Sequence, residues 1–225
     1  TVSWLLEHPT NDGGQWDMFV ALVEKYGIVP KYAMPETFHS SNSREMNFIL
    51  DFFLRSAAKK LRKLHQENNT LDLIRQKKEE QLISFYSILC YFLGEPPKKI
   101  DFEYRDEKNH FQRIGQLSPV EFYQQISPIN LTDYISIINA PTSDKPFEKT
   151  YTVKYLGNVI GERQIHYLNL PIGELKALSI SQLKEDDPVW FGCDVGKFMN
   201  RDLGLLDDKL YEYEKLLNVS FDMTK

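Results

Sequence analysis

The break at Gly94-Glu95-Pro96-Pro97 constrains this chain more than any other feature, because the period of its apolar residues changes there. Before the break, apolar residues recur at helical spacing. Met46, Ile49, Leu50, Phe53, Ala57, Leu61 and Leu64 mark one face of a long helix, and Asn42 with Glu45 three residues on predicts a capping-box start. A second long helix is expected from near Thr70, with Leu82, Phe85, Leu89 and Phe92 on a buried stripe and its end at Gly94. The short polar link at 65–69 makes the two an antiparallel hairpin. A shorter helix precedes them. Trp16, Phe19, Val20 and Val23 repeat over residues 15–26, and Gly27 and Pro30 supply its stop.

Beyond Pro97 the pattern alternates. Phe102 and Tyr104 share one face of a strand, a turn follows at 106–109, and a return strand is expected around 111–114. Ser118-Pro119-x-Glu121 opens a short helix, with proline at the first helical position and Glu121 placed to cap. Further strands are expected at 135–138, 151–155, 164–168 and 189–195, with a helix over 172–184 between the last two. Helices grouped first and strands later make an α+β pattern. Composition shifts at 94–97 and again at 140–146, which are the candidate subdomain junctions, and there is no internal repeat.

At 225 residues, with 42% hydrophobic and 13% aromatic content, the chain can bury a substantial core in one large domain or two small ones. No run approaches the roughly 20 apolar residues of a membrane span, so no membrane partner is expected. Cys90 and Cys193 lie far apart and fit neither a disulfide framework nor zinc spacing, which points to a reducing cytoplasm. The formal net charge of −5 argues against general nucleic-acid affinity. Arg44, Arg55, Lys59, Lys60, Arg62, Lys63, Arg75, Lys77 and Lys78 nonetheless crowd into one stretch, read as the solvated face of the helices.

The richest local motif is Asn11-Asp12-Gly13-Gly14-Gln15-Trp16, where adjacent glycines leave main-chain groups bare at a helix start. Taken alone, a glycine pair is a tight turn feeding a helix. Together with Gly27-Ile28-Val29-Pro30-Lys31, Met34-Pro35-Glu36-Thr37-Phe38, Phe102-Glu103-Tyr104-Arg105-Asp106, Ser118-Pro119-Val120-Glu121-Phe122-Tyr123 and Val189-Trp190-Phe191-Gly192-Cys193-Asp194-Val195-Gly196-Lys197, it resembles the bleomycin hydrolase and aminopeptidase C family of papain-like cysteine peptidases. The resemblance implies an incomplete papain-like α+β fold. Residues 1–34 would belong to its helical half, 35–129 to a family-specific insertion carrying the helical hairpin and β-hairpin, and 130–225 to its β-barrel-like half.

The same resemblance implies a cytoplasmic enzyme that removes N-terminal residues from peptides through an acyl-enzyme, with no cofactor, assembled as a homohexamer. The family's nucleophilic Cys precedes the glycine pair, and its His and Asn follow the last residue here, so the chain is expected to be a central piece, inactive alone. Gly14 would bond the substrate main chain, with Gly13 beside it and Asn11 and Asp12 shaping the turn. Gly192, on a predicted strand with Val189, Phe191, Cys193 and Val195 on the opposite face, would line the pocket beside the scissile bond. Its plainer reading is a strand glycine with a close neighbour.

Cys193 is expected in the sheet's packed face, behaving as a small hydrophobe. Cys90, His166 and Asn169 repeat the order Cys, His, Asn, but Cys90 lies at the C-terminal end of its helix, where the dipole disfavours a thiolate. Gly192-x-x-x-Gly196-Lys197 is one residue short of a phosphate loop, and the five His residues show no metal-binding spacing. The alternative from another class is a non-catalytic interaction or nucleic-acid-binding module built on the basic hairpin.

Overall fold

The computed structural model describes residues 7, 9–10, 13–127, 129–193, 195–196, 198–207, 210 and 212–220. Its chain groups into two compact units, Thr1–Ser136 with Thr152–His166, and Ile137–Tyr151 with Tyr167–Lys225.

The first unit begins with α1, Trp16–Tyr26, which ends where Gly27 turns to φ 73 and donates its N–H to Val23 O. Its buried face is Asp17, Val20, Ala21 and Val23, so Phe19 of the expected stripe is half out in solvent. Next comes a short helix that the sequence did not announce, α2, Phe38–Ser41, held by a capping box between Thr37 and Ser40. It displaces the expected start of the long helix. Asn42 closes α2, and α3, Arg44–Gln66, takes Ser43 as its N-cap without a side-chain bond. Helix α4, Leu71–Leu93, starts and stops as its sequence predicts, with Thr70 Oγ1 accepting from the Leu73 N–H and Gly94 at φ 83.

Helices α3 and α4 form the antiparallel hairpin. The turn is closed by Asn68 at φ 57 and by Asn69, whose N–H and Nδ2 both donate to Leu64 O. Midway, the rings of Phe53 and Phe85 lie 6.2 Å apart, and at the far end His39 meets Phe92 at 4.6 Å. The expected buried stripe of α4 is not realised. No residue of α4 is buried, and in α3 only Met46, Leu50 and Ala57 are. Phe85, Leu89 and Phe92 are half-buried and Leu82 is exposed, because α3 and the short α2 cover only part of the stripe.

Strands β1, Ile100–Arg105, and β2, Phe111–Leu117, pair antiparallel across the expected turn, where the N–H groups of Lys108 and His110 both donate to Asp106 Oδ1. Phe102 pairs with Gly115 and Glu103 with Arg113, so a bulge leaves Ile114 between ladder positions. Helix α5, Pro119–Ile126, follows with the predicted reciprocal capping box of Ser118 and Glu121. Ile100, Leu117 and Phe122 form a core cluster with Val29, Ala33, Phe102 and Ile126 around it. A turn of 3-10 helix at Leu131–Asp133 leads out of the unit.

The second unit holds a three-stranded sheet in the order β3-β5-β4, from β3 Ser136–Ile138, β4 Lys149–Tyr151 and β5 Tyr167–Asn169. Strand β4 ends at Tyr151 instead of running through 155, since the chain bends there and Tyr155 sits at φ 65. Strand β5 likewise starts three residues later than expected. Helix α6, Ile172–Lys184, has the predicted bounds. The strand expected at 189–195 is absent among the described residues. Alternation gives a segment two faces, but a strand forms only where a neighbour closes its ladder, and the nearby β6 (Met199–Asn200) and β7 (Leu205–Leu206) pair with each other. The unit ends in α7, Tyr213–Leu217.

Candidate functional site

Gly13 and Gly14 run in exposed irregular backbone straight into α1. Asn11 and Asp12 lie outside the described residues. A methyl group at Gly14 would meet no atom within 4 Å, its φ lies outside the left-handed region, and it forms no main-chain hydrogen bond among the described residues. The fold therefore does not demand glycine at 14. Gly27 is the opposite case. A Cβ there would overlap the Pro119 carbonyl and the Val120 nitrogen, because the end of α1 passes directly over the start of α5, where Ile28 N–H donates to Pro119 O at 3.2 Å. An open glycine main chain at a helix entrance is what an extended peptide needs for backbone pairing.

Immediately behind the glycine pair is a buried charge cluster that sequence reasoning missed. Asp17, only 3% exposed, accepts Arg163 Nε on Oδ1 at 2.8 Å and the His166 main-chain N–H on Oδ2 at 2.9 Å. Asn158 Nδ2 donates to Met18 O at 3.3 Å. Residues 152–166 thus form a strap held on the first turn of α1, with its own Val159 and Ile165 buried. The available signal was a carboxylate three and four residues before Val20 and Ala21, on the apolar face of the helix.

Gly192 belongs to the second unit, in an exposed stretch without a ladder partner among the described residues, and a Cβ there would meet nothing within 4 Å. The strand face and the close neighbour expected for it are therefore corrected. Cys193 is corrected with it, since the thiol is exposed rather than packed.

No triad arises from Cys90, His166 and Asn169. Cys90 is half-buried at the C-terminal end of α4, its carbonyl accepting the Gly94 N–H. His166 Nδ1 donates to Gln164 O at 2.8 Å. Asn169, fully buried, spends its whole amide on the backbone, with Oδ1 accepting from the Ala140 N–H and Nδ2 donating to Ala140 O and Lys145 O.

The basic hairpin carries an open groove of about 310 Å³ near its turn, floored by Leu61 and Leu64 and rimmed by Lys60, Lys63 and Lys77. Five of its nine cations are paired with neighbouring carboxylates: Arg55 with Asp51, Lys63 with Glu67, Arg75 with Asp72, Lys77 with Glu80 and Lys78 with Glu79. Among the described residues, no group of three or more His, Cys, Asp or Glu side chains converges as metal ligands would, and no helix is long and apolar enough to cross a membrane.

Aminopeptidase C of Listeria innocua serovar 6a is 46% identical over 225 residues, which is all of this chain and 50% of the relative. Human bleomycin hydrolase is 41% identical over 221 residues, 97% of this chain and 49% of the relative. The crystal structure of PepW from Lactobacillus rhamnosis HN001 superposes with a TM-score of 0.92 at 49% identity, covering 99% of this chain and 50% of that one. The chain thus spans about half the length of the relatives it matches, and its architecture is the α+β papain-like fold over that half. With the profile of the Peptidase C1-like family matching residues 1–225, the chain belongs to that family of papain-like cysteine peptidases.

Proposed function

We propose that this chain carries part of the substrate-binding surface of a cytoplasmic cysteine aminopeptidase that removes N-terminal residues from peptides through an acyl-enzyme. The observation that carries the reading is Gly14: exposed, unhindered by any atom within 4 Å of a Cβ, and placed one residue before the N-cap of α1. Its N–H and C=O pair with the substrate main chain, and Asn11, Asp12 and Gly13 shape that edge. Gly192 lines the pocket for the substrate residue beside the scissile bond, its missing side chain leaving space. Residues 1–34 and 130–225 contribute to the two halves of the papain-like fold, and 35–129 is the inserted region.

The nucleophile and its imidazole base come from the half of the relatives' length that this chain does not span. The two cysteines present are unsuited to the task, Cys90 because it sits at the negative end of a helix dipole and Cys193 because it is exposed in irregular backbone with no helix start behind it. In the whole enzyme the α3–α4 hairpin, with Phe48, Phe52, Ile83 and Tyr91 exposed, packs against other subunits of a homohexamer. A nucleic-acid role for the hairpin has less support, since five of its nine cations are already neutralised locally.

The test is an assay of the purified 225-residue polypeptide on fluorogenic aminoacyl amides with and without a thiol alkylating agent. No turnover is expected, and alkylation-sensitive release would overturn the placement of the nucleophile elsewhere.

A further inference from the structure

Asp17 is a buried charge to which the peptidase reading gives no task. Helix α1 starts without a side-chain cap, because Gln15 at the N-cap makes no such bond, and the N–H groups of Met18 and Phe19 share the Gln15 carbonyl at 3.0 and 3.1 Å. Local chemistry therefore leaves the entry of the chain into α1 loosely fixed. What holds it is distant in sequence. The Asp17 carboxylate takes one charge-assisted bond from Arg163 and one from the His166 main chain, at 2.8 and 2.9 Å, while Asn158 grips the next carbonyl of the helix.

The strap that supplies these groups has no helix of its own, yet Val159 and Ile165 within it are buried, so apolar packing backs the polar contacts that hold it on α1.

We infer that Asp17 is a positioning residue for the glycine wall: through Arg163 and the His166 N–H it fixes the first turn of α1, and with it the main chain of Gly14 three residues upstream. The inference rests on the reading of Gly14 as substrate-binding main chain. A hydrogen bond between two backbones loses strength steeply once its angle and distance drift, so the wall works only if its carrier helix is held.

Steady-state kinetics of the full-length enzyme, with active sites titrated by an alkylating inhibitor, test this. Asp17→Asn and Arg163→Gln should each raise KM for a peptide substrate roughly three- to tenfold, the factor that follows from losing one hydrogen bond, with kcat per titrated site unchanged. Arg163→Lys should raise it less. A merely structural clamp would instead lower the melting temperature and the titrated fraction and leave KM in place. Gly14→Ala, which meets no atom within 4 Å, reports on the wall itself.

If Gly14→Ala raises KM while Asp17→Asn does not, the positioning role is overturned and the wall stands. If Gly14→Ala leaves KM unchanged, the wall reading fails and the inference with it, whatever Asp17→Asn does. Should Asp17→Asn not fold, Arg163→Gln decides: a raised KM supports the role, and an unchanged one overturns it.

Discussion

At position 27 the backbone sits at φ 73 and a methyl group would overlap the carbonyl of Pro119 and the nitrogen of Val120, whereas at position 14 the same methyl meets nothing within 4 Å. Substitution should separate these two glycines sharply. Gly27→Ala is expected to destabilise by at least about 2 kcal/mol, since the left-handed backbone and the forced separation of α1 from α5 both count against it. Gly14→Ala is expected to stabilise by about 0.4–1 kcal/mol through the unfolded chain. Urea melts of the two variants check both signs. Asn169 gives a third test at this scale. Truncation to alanine leaves the half-buried Ala140 N–H and two carbonyls without their side-chain partner, so Asn169→Ala should cost roughly 2–3 kcal/mol in the same experiment.

Among the elements, α5 shows how a short helix can be fixed by its own first turn. The Ser118 N–H donates to Glu121 Oε2 at 2.8 Å, and this bond, with the Ser118 hydroxyl contact, holds the Glu121 carboxyl below its ordinary value of 4.5. A carboxyl depressed in the folded state stabilises above its unfolded value and loses that contribution as pH falls through the folded one. Stability should therefore decline as pH drops below about 4.5, and Glu121→Gln should flatten that part of the curve in urea melts at pH 6 to 3. Ser118→Ala should cost about 1 kcal/mol at neutral pH.

This capping box was legible because all its parts lie within four residues, and the same holds for Thr70 and Gly94 around α4. Helix α2 was not legible, since Thr37 and Ser40 cap a helix of only four residues that carries no periodic stripe. The strand at 189–195 failed for a different reason: its alternation is local, but its hydrogen-bonding partner would have to come from elsewhere. The candidate site divides in the same way. The glycine pair could be found from adjacent residues, whereas the Asp17 cluster joins positions 149 apart and left only an acid on an apolar face as its trace.

Taken whole, the chain displays apolar surface on elements that their neighbours only partly cover. Helices α4 and α6 contain no buried residue, and Trp190 and Phe191 are about three-quarters exposed. Surfaces of this kind mark association sites. The isolated polypeptide is expected to enhance the fluorescence of anilinonaphthalene sulfonate at neutral pH, and the full-length protein to do so much less; equal signals from both would count against coverage of these faces in the whole enzyme.

The bond between Asp17 and His166 also sets a clock. Helix α1 leaves the ribosome before the strap that completes it, and at synthesis rates of 5–20 residues per second the intervening 149 positions take roughly 7 to 30 s. For that interval a carboxylate destined for the interior has only water to solvate it, and the glycine edge beside it can stay loose. The glycine edge would then set only after residue 166 has been made.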